Sequence, residues 1–135
     1  MTIVTAGQDG DSPMFVPLME HLRVGRRTRP DATLGDKAYS SRGNRAYLRR
    51  HGIEAVIPEP RDQQANRKRR GSRGGRPPKF DAVKYRGRNV IERGYCRVKQ
   101  WRGLATRYDK LAIVYRAAVV LNGVIAWLNY LTDTP

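Results

Sequence analysis

Residues 32–60 read ATLGDKAYSSRGNRAYLRRHGIEAVIPEP, and this stretch decides the fold. Ala32, Thr33 and Leu34 form a short apolar run that stops at Gly35 and Asp36, as a buried strand does. Ser40 or Ser41 can then cap a helix that runs through Tyr47 and Leu48 and ends at Gly52. Residues 53–57 (IEAVI) form a second strand, closed by Pro58 and Pro60. Upstream, the β-branched run TIVT at 2–5 predicts a strand ending at Gly7. It is followed by a helix capped by Asp11 or Ser12, with Pro13 near its first turn. Met14, Phe15, Leu18, Met19 and Leu22 lie at helical spacing on that helix, and Gly25 ends it. Strand, helix, strand, helix, strand in this order predicts an α/β sheet with crossover helices.

The chain has 135 residues, enough for one domain, and a net charge of +15. A protein so basic is not a binder of cations or of basic partners; nucleic acid or an anionic membrane surface is the expected partner. A single cysteine, Cys96, excludes a disulfide framework and a cysteine-rich zinc site and fits a reducing compartment. His21 and His51 stand apart with no metal-ligand spacing. The first residues lack the basic and apolar regions of a secretory signal. Residues 111–131 are nearly apolar and long enough to cross a bilayer, but Arg116, Asn122 and Asn129 interrupt them. A buried core helix is the expected reading, as it is for Trp101, Trp127 and Cys96 as packing residues.

The charge is concentrated. Residues 61–107 hold 16 Lys and Arg against three acids, so this segment carries nearly all of the excess. Within it, residues 61–79 (RDQQANRKRRGSRGGRPPK) have no apolar periodicity and predict a basic disordered loop that contacts DNA phosphates, above all through Arg67, Lys68, Arg69, Arg70 and Arg76. Residues 80–101 predict one long helix. Phe80, Val83, Gly87, Val90, Ile91, Gly94, Val98 and Trp101 share its apolar side, where the two glycines would allow close approach to a sheet. Tyr85, Arg88, Glu92 and Lys99 fall within about 60° of one another on the opposite side. As an ordinary solvated face this stripe would be worth little, since an Arg88–Glu92 pair contributes only a few tenths of a kcal/mol. Glu92, however, is the only carboxylate between Asp81 and Asp109.

The pattern Y-x2-R-x3-E-x6-K formed by those four residues resembles the signature of bacterial insertion-sequence transposases with a DDE catalytic domain, of the IS-four and IS-five superfamily. The runs VTAGQDGDSPMF, LGDKAYSS, GGRPPKFD and NVIERGYCRVKQWRGLATRYDKLA are similar to the same family, so the resemblance covers nearly the whole chain.

The resemblance implies an RNase H-like mixed sheet with flanking helices, N-terminally incomplete here. It implies two Mg²⁺ (or Mn²⁺) ions held by acidic residues, of which Asp36 would be the second and Glu92 the third. Tyr85, Arg88 and Lys99 would contact DNA. The family's first acid lies on a strand before the segment with which this chain begins; Asp9 and Asp11 match its loop rather than its ligand. The chain alone is therefore expected to be inactive in DNA cleavage and strand transfer. Transposon ends and target DNA are the implied partners, with a homo-oligomer or intact transposase as protein partner, no membrane, and a cytoplasmic, nucleoid-associated location. Composition alone would favour a non-enzymatic basic DNA-binding protein, and a truncated chain could act as an inhibitor of intact transposase.

Overall fold

The computed structural model describes residues 2–6, 9–23, 29–108 and 110–132. The chain divides into two compact units, residues 10–88 and residues 1–9 with 89–135.

The 10–88 unit is built on the stretch quoted above. Strand β1 (Ala32–Leu34) pairs in parallel with β2 (Glu54–Val56), in the register Ala32↔Glu54, Thr33↔Ala55 and Leu34↔Val56. Parallel strands cannot be joined by a tight hairpin, so the chain between them must cross over. Helix α2 (Arg42–Arg50) makes the crossing. Its ends are set locally. Ser41 Oγ accepts from the Asn44 amide at 3.0 Å and caps the N-terminus. At the other end the amides of Gly52 and Ile53 donate to the Arg49 and Leu48 carbonyls, with Gly52 at φ +66°. That pair of bonds is a Schellman motif, and its left-handed residue is the glycine. An alanine there meets no neighbouring atom but must adopt the left-handed backbone. Gly52→Ala should cost about 1–2 kcal/mol, read as a lower urea midpoint at unchanged m-value.

Inside this unit Phe15, Met19, Leu48, Ile53 and Ile57 form the buried cluster. Phe15 and Met19 come from α1 (Phe15–Glu20), which continues a 3-10 turn at Ser12–Met14 with Pro13 at its start. Tyr39 and Tyr47 pack on the cluster, their rings 5.8 Å and 6.5 Å from that of Phe15. Asp11 makes no side-chain cap bond, and Leu18 is exposed. Gly25, expected to end the helix, and Gly7, expected to end the first strand, lie outside the described residues.

Five expectations are corrected. Residues 2–5 form no strand; the sheet contains β1 and β2 alone among the described residues. A β-branched run is a strand only when a ladder partner takes up its backbone groups.

Residues 61–79 are not a structureless loop: they contain helix α3 (Arg61–Arg69) and a 3-10 turn at Gly71–Gly74. Asp62 in the first turn and Arg67, Lys68 and Arg69 in the last complement the helix dipole. Polar contacts dock α3. Gln63 Nε2 donates to the Ser40 carbonyl at 2.9 Å, Ser40 Oγ donates to Gln63 Oε1 at 3.1 Å, and Arg67 pairs with Glu59.

The segment 80–101 is not one helix. It divides into α4 (Ala82–Arg86) and α5 (Asn89–Gln100), with i→i+3 bonds from Gly87 to Lys84 and from Arg88 to Tyr85 at the break. Gly87 is a weak helix residue, and it lies against Leu34 of β1, where a Cβ would sit 3.6 Å from Leu34 Cδ2.

The 1–9 and 89–135 unit holds α5, α6 (Arg102–Ala105) and α7 (Ala112–Thr132). The expected buried core helix at 111–131 is a helix, but an exposed one. Asn122 is its only buried residue among those described, and Ile113, Val120, Leu121, Trp127 and Leu128 are exposed. α6 packs against it and Tyr115 Oη reaches the Leu104 carbonyl at 3.4 Å. One four-residue helix cannot cover a helix of 21 residues. By length and composition α7 could cross a membrane. The apolar side of α5 is likewise open at Val90 and Ile91, and Cys96, Trp101 and Trp127 are exposed rather than packed.

Candidate functional site

Asp36 stands two residues beyond β1. The ladder extends one bond past the strand, from the Gly35 amide to the Val56 carbonyl at 3.3 Å. Asp36 then caps the 3-10 turn Lys37–Tyr39, its Oδ1 accepting from the Ala38 amide at 2.9 Å. The sequence reading left capping to Ser40 and Ser41; in fact a separate turn intervenes before α2, and it takes Asp36 as its own cap. The bond fixes one carboxylate oxygen and thereby aims the other. Oδ2 lies 4.0 Å from an Arg88 guanidinium nitrogen, and the Asp36 side chain is 44% exposed. Arg88 in turn lies 5.9 Å from the centre of the Tyr85 ring, within cation–π range. Phe80 flanks Tyr85 at 5.2 Å. The structure thus gathers Asp36, Arg88 and Tyr85 at the carboxyl end of β1, the end of a parallel sheet where α/β sites collect.

Asp81 holds α4, and with it Tyr85, in place. Its Oδ1 accepts from the amides of Val83 and Lys84, each at 3.0 Å. The Lys84 amide above all, with that of Val83, holds the carboxyl below its ordinary range against the opposing effect of desolvation. A depressed folded value means that the cap's contribution is complete above the unfolded carboxylate pKa of about 3.9 and is lost as pH falls through the folded value. The Val83 and Lys84 amide resonances should therefore move together with the Asp81 carboxyl below pH of about 4, and Asp81→Asn should abolish the transition. A transition at or above the ordinary value would contradict this.

Glu92 and Lys99 belong to the other unit, on α5. Glu92 lies in the first turn and Lys99 in the last, where their charges suit the helix dipole. Being seven residues apart, they share a side of that helix. The sequence stripe is therefore divided: Tyr85 on α4, Arg88 in the break, Glu92 and Lys99 on α5.

Carboxylate oxygens suit a hard cation such as Mg²⁺ or Mn²⁺. Asp36 fits that chemistry, being accessible with only one oxygen held by the turn. Among the described residues, however, no three His, Cys, Asp or Glu side chains come together as a metal-binding group.

Of the basic residues singled out in the sequence, Arg67 is paired with Glu59, its side chain largely covered. Lys68, Arg69, Arg70 and Arg76 are exposed. Sequence reading missed three others. Arg42, Arg45 and Arg49 are spaced i, i+3, i+7 and so form a row along α2, facing with Arg67 and Arg76 into a cleft of about 580 Å³. Arg45 donates to Ser40 Oγ at 2.9 Å and to the Ile57 carbonyl at 2.8 Å. Burial lowers its pKa from the ordinary value, and Glu59 raises it. The signal was present in the sequence as a basic stripe on the helix that also carries Leu48.

Compared with protein families, residues 1–127 match the family model described as the transposase DDE domain. No curated protein and no solved structure matches the chain.

Proposed function

The chain belongs to the transposase DDE domain family, and from that premise we propose that it serves DNA transposition through the carboxylates of Asp36 and Glu92. The family match over 1–127 carries this reading. The family acts on DNA and uses divalent metal ions; the assignment of particular residues is our own. The parallel β1–α2–β2 crossover, with an acid just past β1, is what part of an RNase H-like sheet would contain.

Asp36 and Glu92 are the residues that would hold Mg²⁺ or Mn²⁺. The ions, when bound, supply Lewis-acid polarisation of the scissile phosphate and a more acidic attacking hydroxyl. The Ala38 amide keeps the Asp36 carboxylate in one orientation before any ion arrives. Arg88, beside Asp36, and Lys99 would bind DNA phosphates, with Tyr85 stacking on the strand and steadying the Arg88 guanidinium. Lys68, Arg69, Arg70 and Arg76 add exposed phosphate contacts, whereas Arg67 first has to leave Glu59.

The reading is tested by cleavage or joining of DNA that carries element ends, with and without Mg²⁺ or Mn²⁺. Divalent-dependent strand cleavage that is lost in Glu92→Gln supports it. DNA binding with no such chemistry, even in a transposase that supplies every family acid, would favour a non-enzymatic DNA-binding protein. Binding itself should be sequence-independent and salt-sensitive. With six to ten phosphate contacts, log K should fall against log salt with a slope of roughly −5 to −9. An affinity insensitive to salt would count against phosphate contact as the main interaction.

A further inference from the structure

We propose that the cleft between α2, α3 and the turn at 71–76 holds the phosphodiester backbone of a DNA strand, with the Arg42, Arg45 and Arg49 row on one wall and Arg76 on the other. This rests on the transposase reading, because DNA is the polyanion such a protein meets.

The charge balance of the cleft is the first argument. Five arginines line it, with Glu59 as the one carboxylate, and Glu59 is already paired with Arg67. Glu59 also attracts Arg45, so one carboxylate faces five guanidiniums and the cleft keeps a large excess of positive charge. The ligand that such a site recognises is a polyanion.

The construction of the cleft is the second. Arg45 is tied to Ser40 Oγ and the Ile57 carbonyl, and Ser40 exchanges two hydrogen bonds with Gln63. The floor is therefore fixed by bonds linking α2, the residues after β2, and α3. The far wall depends on two glycines. A Cβ on Gly74 would fall 2.2 Å from the Arg67 carbonyl oxygen, so only glycine permits the turn to pack on α3. Gly75, at φ +73°, then turns the chain so that Arg76 borders the cleft.

The lining chemistry is the third. Small-molecule pockets are mainly apolar with a few polar groups, whereas this one is lined mainly by arginine and polar side chains. It has no aromatic residue on which a base could stack. Guanidiniums without a stacking platform grip the backbone and ignore the sequence. The three α2 arginines span about 10 Å along the helix axis, long enough to follow successive phosphates rather than to enclose one.

The test compares substitutions of equal charge on the full chain, using a random-sequence duplex as probe and fluorescence anisotropy at several salt concentrations. Arg42 and Arg49 are exposed side chains on α2, so Arg42→Ala/Arg49→Ala should fold, and circular dichroism checks that it does. The control is Arg23→Ala/Arg50→Ala, which removes the same charge from exposed positions outside the cleft. The cleft double variant should flatten the salt slope by about 1.8, two contacts at about 0.9 each, and weaken binding at least tenfold in low salt. The control should leave the slope close to wild type. Equal losses in the two variants would show diffuse attraction and overturn the cleft while DNA binding stands. A wild-type chain that binds no DNA would overturn the functional reading together with the cleft.

Discussion

Leu48→Ala is expected to lower the unfolding free energy of the chain by about 2–5 kcal/mol. Leu48 is completely buried and sits on the inner side of α2. Among the described residues it belongs to a small cluster with four other buried apolar residues, Phe15, Met19, Ile53 and Ile57. Truncation removes its transfer free energy and leaves a cavity that Tyr39 and Tyr47, placed at the edge of the cluster, can fill only in part. Since whole domains are stable by about 5–15 kcal/mol, the loss is a large part of the total. It also has a functional consequence. α2 carries the Arg42–Arg49 row on its outer side and spans the connection between β1 and β2, so loosening Leu48 loosens the frame of Asp36 and of the cleft together. Urea unfolding gives the energy, and DNA affinity measured at increasing temperature gives the functional effect. A loss under about 1 kcal/mol would mean that this small cluster is not what holds the unit together.

What could be read in the sequence follows from where each signal acts. β1, α2 and β2 were legible because their determinants are local: Ser41 caps, Gly52 reverses the chain, and the apolar runs on either side are short. Helix α3 was not legible, because it rests on Gln63 with Ser40 and Arg67 with Glu59, polar pairs between segments that no apolar periodicity reveals. The division of 80–101 was hidden for a similar reason. Its apolar pattern continues through Gly87, and the break shows only in the backbone, where Gly87 and Arg88 bond three residues back. For α5 and α7 the apolar composition was plain, but composition states that a surface avoids water and not what covers it. In the site, the position of Asp36 at a strand end was readable, while its cap to Ala38 and its proximity to Arg88 required the fold. The α2 arginines are sparse in the sequence beside the dense charge of 61–107, and they become a row only once α2 is wound.

In a transposase that supplies every family acid, Asp36→Asn should reduce divalent-dependent strand cleavage by about 10²–10³-fold, the range in which single groups aimed at transition-state charge act, while leaving the fold intact. The substitution separates the two roles that the structure gives this residue. The asparagine Oδ1 can still accept from the Ala38 amide, so the turn at Lys37–Tyr39 keeps its cap. What is lost is the charge, and with it both the attraction to Arg88 and the hard anionic donor that a cation needs. Asp36→Ala removes cap and charge together, so it should add a loss of stability that Asp36→Asn does not show. Metal binding offers a readout independent of turnover. Mn²⁺ should broaden the amide resonances of Lys37 and Ala38 in the wild-type chain and leave them sharp in Asp36→Asn. Activity and broadening both unchanged in that variant would reduce Asp36 to the cap of a short turn and remove it from the proposed metal site. A matched loss in Asp36→Asn and Glu92→Gln would instead tie the two units of the chain to one reaction.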